Sequence, residues 1–157
     1  MTILFPEPSD IDMLEICLLT EEHLDGVFAI ESACFSEPWS RKSLELLCSE
    51  GGFGVVAVED GAVAAYGGMT CVLDEGAITN IAVLPDFRRR GLGRAIVSAL
   101  KSEAYKRGIR IVFLEVRESN EGARALYLSE GFGECGKRKG FYRHPLEDAI
   151  QMVYKFD

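Results

Sequence analysis

A basic turn that contains two glycines, Arg88-Arg89-Arg90-Gly91-Leu92-Gly93, is the stretch of the sequence best suited to bind a charged ligand. The apolar run Ile81-Ala82-Val83 precedes it and is typical of a buried strand. Apolar residues follow it at helical spacing from Leu92 to Ala104. A helix that begins in such a turn presents unpaired backbone N–H groups and the positive end of its dipole. The order of strand, basic turn and helix therefore predicts a phosphate site.

Two common phosphate motifs do not fit this turn. A P-loop needs GxxxxGK[ST], and the chain contains no Gly-Lys-Ser or Gly-Lys-Thr. A dinucleotide fingerprint needs a third glycine or a small residue, where this chain has Ile96. The turn therefore has only the pattern Arg-x-x-Gly-x-Gly. This pattern indicates either a phosphate site of another kind or simply the solvated, basic start of a helix.

Glu115 is the first candidate for acid–base chemistry. It lies in the strand predicted at Ile109 to Val116, where Leu114 and Val116 point to one face and Glu115 and Arg117 to the other. An acid near the carboxyl end of a parallel strand is placed where ligands collect in open sheets. Glu115 is therefore a candidate general base, acting directly or through water. The alternative is an ion pair with Arg117 at the rim of the sheet.

Tyr127 and Asn120 belong to the next predicted helix. Ala123, Leu126, Tyr127 and Glu130 follow helical spacing, so that Tyr127 borders the inward stripe. An aromatic residue on such a stripe is more often part of the core than of a catalytic site. Asn120 is adequately explained as the N-cap of this helix.

The elements that must position these residues follow an α+β pattern. The two strands that flank the long helix form a βαβ unit, which makes them a parallel pair. The predicted strands are Met13–Leu19, Phe53–Val58, Ala62–Val72, Ala77–Val83, Ile109–Val116, Phe132–Tyr142 and Ala149–Phe156. The predicted helices begin after Thr20, Ser40, Gly91 and Asn120, and end near Cys34, Cys48, Gly108 and Gly131.

Length and composition fit one domain of 157 residues, with a leader at 1–12 that we expect to be flexible and a domain at 13–157. The five cysteines are scattered and form no CxxC pair, so they indicate neither disulfides nor zinc, and no metal is expected. No apolar run is long enough to span a bilayer, and no signal peptide is evident. We expect a cytoplasmic protein that does not bind membranes.

The net charge of −8 lies in the first 40 residues, which hold nine acidic residues and no lysine or arginine. This acidity argues against binding to nucleic acid in that region. It indicates either a solvated acidic face or a surface that attracts a cationic substrate, with Glu31 and Glu37, beside Phe35 and Trp39, as candidate contacts.

The motifs together resemble a known family. Arg-x-x-Gly-x-Gly after a strand resembles the acyl-coenzyme A loop of the GCN5-related N-acetyltransferases (GNAT), whose order of elements this chain follows over nearly its whole length. Four further stretches are similar to the RimI-type ribosomal-protein N-terminal alanine acetyltransferases within that family. They are Phe35-Ser36-Glu37-Pro38-Trp39-Ser40, Asn80-Ile81-Ala82-Val83, Leu114-Glu115-Val116-Arg117 and Asn120-x-x-Ala123-x-x-Leu126-Tyr127-x-x-x-Gly131-Phe132.

The resemblance implies a mixed, twisted β-sheet with helices on both faces and a central βαβ coenzyme-binding unit. It implies that the strands beside the coenzyme helix splay apart around the pantetheine arm of acetyl-CoA. Glu115 would be the proton acceptor and Tyr127 the proton donor. The implied acetyl-CoA-binding residues are Ile81, Ala82 and Val83 for the thioester and arm, Arg89, Arg90, Gly91, Leu92, Gly93 and Arg94 for the pyrophosphate, and Asn120 for the far end of the arm.

These observations favour an enzyme that transfers acetyl from acetyl-CoA to the N-terminal α-amino group of a protein, and the resemblance implies that the acceptor is the N-terminal alanine of a ribosomal protein. Two alternatives remain open. One is transfer to a small amine such as a polyamine or aminoglycoside, and the other is a coenzyme-binding module that senses acetyl-CoA without turnover. The presence of both Glu115 and Tyr127 argues against the sensor. The loop at Gly140–Leu146 and the leader carry no information about the substrate.

Overall fold

The computed structural model describes the backbone of residues 2–5 and the whole of residues 14–157, and the statements below concern these residues. Its strands are β1 Thr2–Phe5, β2 Leu14–Leu18, β3 Gly52–Glu59, β4 Ala62–Val72, β5 Glu75–Val83, β6 Ile111–Arg117, β7 Gly133–Arg143 and β8 Leu146–Lys155. Its helices are α1 Leu24–Cys34, α2 Arg41–Leu44, α3 Leu92–Lys106 and α4 Glu121–Ser129, with short 3₁₀ turns at Glu21–His23, Glu45–Cys48 and Pro85–Phe87.

The strands form one mixed sheet in the order β1-β2-β3-β4-β5-β6-β8-β7. Only β5 and β6 pair in parallel, and α3 makes the crossover between them. This confirms the α+β class and the central βαβ unit. Within the predicted leader, residues 2–5 form a strand that pairs with β2, which the sequence did not predict. The rest of the leader, residue 1 and residues 6–12, lies outside the described residues.

Helices cover both faces of the sheet, as predicted. On one face α3 buries Ile96, Val97 and Leu100 against β3 and β4. On the other face α1 and α2 bury Val27, Ile30, Leu44 and others against alternate residues of the same strands. Each large apolar side chain buried in this way stabilises the fold by about 1.5–3 kcal/mol. The sheet is therefore the rigid centre from which the loops at its edge project.

The predicted limits of the elements agree with the structure to within a few residues, and the differences have local causes. β6 begins at Ile111 and not at Ile109, because the N–H of Ile109 donates to the carbonyl of Ala104 and so still belongs to the end of α3. β8 begins at Leu146, three residues before its predicted start, because it pairs with the full length of β7.

β5 and β6 separate after a short stretch of pairing. Their ladder covers Glu75–Ala77 and Ile111–Phe113 only, although β5 continues to Val83 and β6 to Arg117. A β-bulge explains the divergence: Thr79 and Asn80 of β5 together face the single residue Gly68 of β4. A bulge of this kind bends its strand and increases the local twist. The bend opens a gap between the two parallel strands, as the family resemblance implies.

Candidate active site

A cleft of about 660 Å³ occupies the gap between β5 and β6. Its floor comes from the divergent halves of the two strands, and one side from the start of α4. The loop between α1 and α2 and the hairpin between β7 and β8 form its two remaining walls. The cleft brings together four of the predicted catalytic and coenzyme-binding residues, which are Ile81, Glu115, Asn120 and Tyr127. Phe35, Glu37 and Trp39, from the stretch with the candidate contacts for a cationic substrate, lie in the wall formed by the α1–α2 loop.

Glu115 lies on the face of β6 opposite Leu114 and Val116, which are buried in the core. No donor or cation among the described residues lies within hydrogen-bonding or ion-pair distance of its carboxylate. Arg117, the alternative partner, is bound elsewhere: its Nη1 lies 3.2 Å from Glu147 Oε1 and 3.0 Å from the carbonyl of Pro145. The structure therefore disfavours the ion pair and leaves Glu115 available to a ligand in the cleft.

The partner of Arg117 is itself held as an anion. Hydrogen bonds from Ser119 and Arg117 keep the pKa of Glu147 below its usual range. The guanidinium of Arg117 also stacks over the ring of Tyr142, with its carbon 4.2 Å from the ring centre. These contacts fix the β7–β8 hairpin to the end of β6, beside Glu115.

Tyr127 points its hydroxyl into the cleft from a ring that is 8% exposed. Burial, and to a lesser degree the nearby Tyr142, raise the pKa of Tyr127 to about 12. The hydroxyl makes no hydrogen bond to the described residues, and no fully buried side-chain polar atom among them lacks a partner. The hydroxyl must therefore reach the open space of the cleft, where it is neutral and able to donate.

The edge of β5 offers backbone groups to the gap. The N–H of Leu84 donates to the carbonyl of Ala64 on β4 at 3.0 Å. Because neighbouring residues of a strand turn their N–H groups to opposite sides, Ile81 and Val83 face the gap and Ala82 faces β4. Of the three predicted contacts, Ile81 and Val83 can therefore bind a ligand through the backbone. Ala82 is buried, with 6% exposure.

The predicted phosphate loop has the backbone geometry of an anion site. Arg89 and Gly91 have positive φ values, of 66° and 80°, on either side of Arg90. Gly91 is the N-cap of α3 and supplies no side-chain cap, so that the N–H groups of Leu92, Gly93 and Arg94 remain without helical partners. A Cβ at Gly93 would lie 3.3 Å from Leu126 Cδ2, so this glycine lets α3 approach α4.

The arginine side chains of this loop differ in what they bind. The Nε of Arg88 donates to the carbonyl of Val83 at 3.0 Å, and Nη1 of Arg90 donates to Glu59 at 3.0 and 3.2 Å. Nη1 of Arg94 donates to Glu130 at 2.8 Å. Arg89 alone among these four makes no side-chain contact to the described residues. Arg90 and Arg94 can therefore contribute to a phosphate site mainly through the backbone, and Arg89 also through its guanidinium.

Asn120 caps α4 as predicted, since its Oδ1 accepts a hydrogen bond from the N–H of Ala123 at 3.1 Å. Its amide NH₂ group remains for a ligand at the side of the cleft. The loop, the strand edge and Asn120 together fit a long ligand that carries phosphates at one end and amides along its arm, as acetyl-CoA does.

Sequence reasoning missed one wall of the cleft. Phe141, Tyr142, His144 and others from the β7–β8 hairpin line it, although that loop was expected to carry no information about the substrate. His144 reaches across the opening, and its Nε2 lies 3.2 Å from Glu37 Oε1. The hydroxyl of Ser36 donates to the carbonyl of His144 at 2.9 Å. The aromatic and basic residues within Phe141–Pro145 were the feature of the sequence that could have indicated this wall.

The prediction that Glu31 is a surface contact for a basic substrate is wrong. Glu31 has no solvent exposure and accepts hydrogen bonds from Tyr66, Asn80 and the backbone of Trp39. Glu37 and Trp39 do line the cleft, and Trp39 also packs against the core under α1.

Within residues 14–157, no group of three or more histidine, cysteine or acidic side chains is arranged to hold a metal ion. No helix in the described part of the chain combines the length and apolar character needed to cross a membrane. The five cysteines are all free.

Comparison with known proteins agrees with this geometry. Residues 24–132 match the model of the Acetyltransferase (GNAT) family. The chain is 39% identical over 143 residues to the [ribosomal protein bS18]-alanine N-acetyltransferase of Escherichia coli K12, covering 90% of this chain and 97% of the relative. The Salmonella typhimurium protein of the same description is also 39% identical, with the same coverage.

A solved structure shows the same fold. The crystal structure of the ribosomal-protein-S18-alanine N-acetyltransferase from Escherichia coli superposes with a TM-score of 0.84 and 39% identity, covering 91% of this chain and 94% of that one. The family match covers more than half of the chain, and the sequence similarity extends over almost all of it. The chain therefore belongs to the GNAT family of N-acetyltransferases.

Proposed function

We propose that this enzyme transfers the acetyl group of acetyl-CoA to the α-amino group of a protein N-terminus, and that its acceptor is the N-terminal alanine of a ribosomal protein. The observation that carries the proposal is the cleft itself. It is lined by an unpaired carboxylate, Glu115, and a free hydroxyl, Tyr127, and in this proposal the pantetheine arm lies beside them in the gap between β5 and β6.

In this proposal Glu115 removes the proton from the acceptor amine, directly or through a water molecule. The α-amino group of a peptide has a pKa of about 7.7–8.0, against about 10.4 for lysine. A carboxylate can therefore assist an α-amino group more readily than a lysine side chain. The free amine attacks the thioester carbonyl, and the N–H group of Ile81, which lines the cleft, would stabilise the negative charge that develops on its oxygen.

Tyr127 acts on the leaving group. The C–S bond breaks as the amide forms, and the sulfur leaves with the electron pair as a thiolate. The neutral hydroxyl of Tyr127 donates to that sulfur. The raised pKa of Tyr127 ensures that this hydroxyl carries its proton at neutral pH. Glu115 passes the first proton of the ammonium group to solvent. The attacking nitrogen loses its second proton as the intermediate collapses, and a proton returned through water restores the hydroxyl of Tyr127, so that the products are the amide and the thiol of CoA. Because the amine attacks the thioester directly, no covalent enzyme intermediate is needed.

The acceptor would enter between the α1–α2 loop and the β7–β8 hairpin. Glu37 stands at this opening, with 61% of its side chain exposed. A basic residue just after the acceptor's N-terminus would meet this carboxylate. Relatives described as bS18-alanine N-acetyltransferases support a ribosomal acceptor. We also infer that residues 13–157 form one acetyltransferase domain that works in the cytoplasm, where such acceptors are made.

Transfer to a small amine uses the same donor site and remains the second candidate, because only the two acceptor walls distinguish it. The contacts of Ser36 and Glu37 with His144 bring the two walls together at the opening, which favours an acceptor with a thin, extended end such as a peptide N-terminus. A sensor without turnover would have no use for an unpaired Glu115 and a free Tyr127 hydroxyl.

The test is an acetyl-transfer assay with peptides that differ only in the first residue, run beside a polyamine and an aminoglycoside. We expect the peptide with N-terminal alanine to react with the highest kcat/KM and the small amines to react poorly. Faster transfer to either small amine would support the second candidate. Binding of acetyl-CoA with no transfer to any acceptor would support the sensor.

A further inference from the structure

Glu31 is a buried carboxylate that the proposed chemistry does not use. It lies in the last turn of α1 with no solvent exposure, and its contacts within the described residues include no lysine or arginine. A carboxylate in this position is costly in two ways. It is removed from water without a cation, and it adds negative charge to the negative end of a helix dipole.

Three donors from three different segments converge on this carboxylate. The backbone N–H of Trp39 donates to Oε1 at 2.8 Å, and Asn80 Nδ2 donates to Oε2 at 3.0 Å. The hydroxyl of Tyr66, on β4, also donates to Oε2. Burial and the nearby Glu31 raise the pKa of Tyr66, so its hydroxyl stays protonated and acts as the donor. Several hydrogen bonds are what a buried carboxylate needs to be tolerated.

Two of these donors, Asn80 and Trp39, lie at the proposed binding sites of different substrates, acetyl-CoA and the acceptor. Asn80 lies in the bulge that bends β5 away from β6, immediately before Ile81. Trp39 lies in the loop that forms the acceptor wall, and both residues line the cleft. Oε1 of Glu31 thus holds the acceptor wall, while Oε2 holds the strand that offers its backbone to the thioester.

We propose that Glu31 is a positioning residue that fixes the acceptor wall relative to β5, and so sets the distance between the incoming amine and the acetyl group. This inference rests on the proposed function. Glu31 does not touch the substrate, but its carboxylate joins Trp39 to Asn80 through one oxygen each. An arrangement of this kind matters for catalysis because a displacement of about 1 Å between reacting groups can cost about 100-fold in rate.

Glu31→Gln tests the inference with little change in shape. The amide oxygen is expected to keep the two donors Tyr66 and Asn80, which turns the NH₂ group of the glutamine towards the N–H of Trp39. Two donors then face each other, so that the loop containing Trp39 loses its hydrogen bond to residue 31. Asn80 of β5 keeps its hydrogen bond. We expect the peptide KM to rise and kcat/KM to fall by about 10-fold or more, with the affinity for acetyl-CoA unchanged.

Two control variants separate positioning from stability. Glu103→Gln changes another buried acid, whose carboxylate binds Arg107 at 2.8 Å on α3, away from the cleft. Tyr66→Phe removes one donor to Oε2 but leaves the bonds to Trp39 and Asn80. Both are expected to lower the melting temperature and to leave the peptide KM near that of the wild type.

Trp39 is the only tryptophan in the chain, so its fluorescence reports the loop directly. We expect acrylamide to quench Trp39 more strongly in Glu31→Gln than in the wild type or in either control. This measurement needs no acceptor, and so it remains valid if the wild-type enzyme acetylates none of the peptides. In that case the proposed function fails while the link between Glu31 and the loop is still tested.

The inference is overturned if Glu31→Gln loses stability but keeps the wild-type peptide KM and Trp39 quenching, since Glu31 is then only part of the core. If the variant does not fold, the inference is tested by the rate of amide hydrogen exchange in the wild-type protein. The N–H of Trp39, bound to a buried carboxylate, should exchange as slowly as helical amides. Fast exchange at this loop position would show that the carboxylate does not hold the wall.

Discussion

Arg90 binds Glu59 through one guanidinium nitrogen, which lies 3.0 Å from Oε1 and 3.2 Å from Oε2 of the carboxylate. Glu59 ends β3 and is only 9% exposed, whereas Arg90 lies in the phosphate loop between two residues with positive φ. The guanidinium also packs on Phe87, 5.2 Å from the ring centre. The central arginine of the loop is therefore an anchor that ties the turn to the sheet.

Loss of the Arg90–Glu59 ion pair should weaken the binding of acetyl-CoA, although the groups of the loop that bind its phosphates are unchanged. In Glu59→Gln the charge that holds Arg90 is removed, and the turn has fewer restraints on its unusual backbone. The arginine is half exposed, so we expect a moderate effect, about two- to fivefold in the Kd of acetyl-CoA measured by calorimetry. Asp25→Asn removes a similar carboxylate from the exposed Arg41 pair and should leave that Kd unchanged. An equal loss in the two variants would contradict a specific role for Glu59.

Substitution of Glu115 or Tyr127 should lower kcat strongly and change the affinity for acetyl-CoA little. Glu115→Gln and Tyr127→Phe each remove a proton-transfer group and keep most of the packing. We expect kcat to fall by about 10²- to 10⁴-fold in each, with little change in the Kd of acetyl-CoA. Tyr154→Phe makes the same change in a ring that contacts Phe132, outside the cleft, and should retain the wild-type kcat. Wild-type turnover in Tyr127→Phe would make Tyr127 a core residue only.

The pH dependence follows from the pKa of Tyr127. This pKa is raised to about 12, so the neutral, donating form persists well above the usual tyrosine value of about 10. We expect kcat/KM for a peptide to rise as its α-amino group loses a proton, at about pH 7.7–8.0, and to stay level to about pH 10. A decrease with an apparent pKa near 10 would show that the essential tyrosine is not held in a buried site.

The sequence was sufficient for those features that depend on local spacing. Alternation along β6 placed Glu115 opposite the buried Leu114 and Val116, and the cap residues Ser40 and Asn120 fixed the starts of two helices. These features require only residues near in the chain, so their patterns are visible without the fold.

Features that depend on contacts between distant segments could not be predicted in this way. Glu31 belongs to an acidic region and was expected at the surface, but it is satisfied by Asn80, which lies 49 positions further along the chain. The role of the β7–β8 hairpin as a wall depends on contacts of Ser36 and Glu37 with His144, more than 100 positions away. Likewise, nothing near Arg90 in the sequence indicates that Glu59 binds it.

Peptide charge should affect the rate at low salt if Glu37 contacts the acceptor. We expect peptides that begin Ala-Arg to react faster than those that begin Ala-Glu, with a difference that shrinks as salt rises, because charges are screened over about 8 Å at physiological ionic strength. The preference should be small, since an exposed pair contributes about 0–1 kcal/mol. Glu37→Gln should reduce it, whereas Glu22→Gln, which removes the same charge outside the cleft, should not. Equal rates for both peptides at low salt would leave the acidic region as a solvated face.

The position of the acetyl group on a product tests the central claim most directly. A peptide that begins with alanine and carries one internal lysine is incubated with the enzyme and acetyl-CoA, beside the same peptide with a blocked N-terminus. Tandem mass spectrometry then locates the modification. We expect one acetyl group on the α-amino nitrogen of the alanine and no reaction of the blocked peptide. Acetylation of the lysine in the blocked peptide, at a rate similar to that of the free one, would contradict the proposal that this cleft is built for a protein N-terminus.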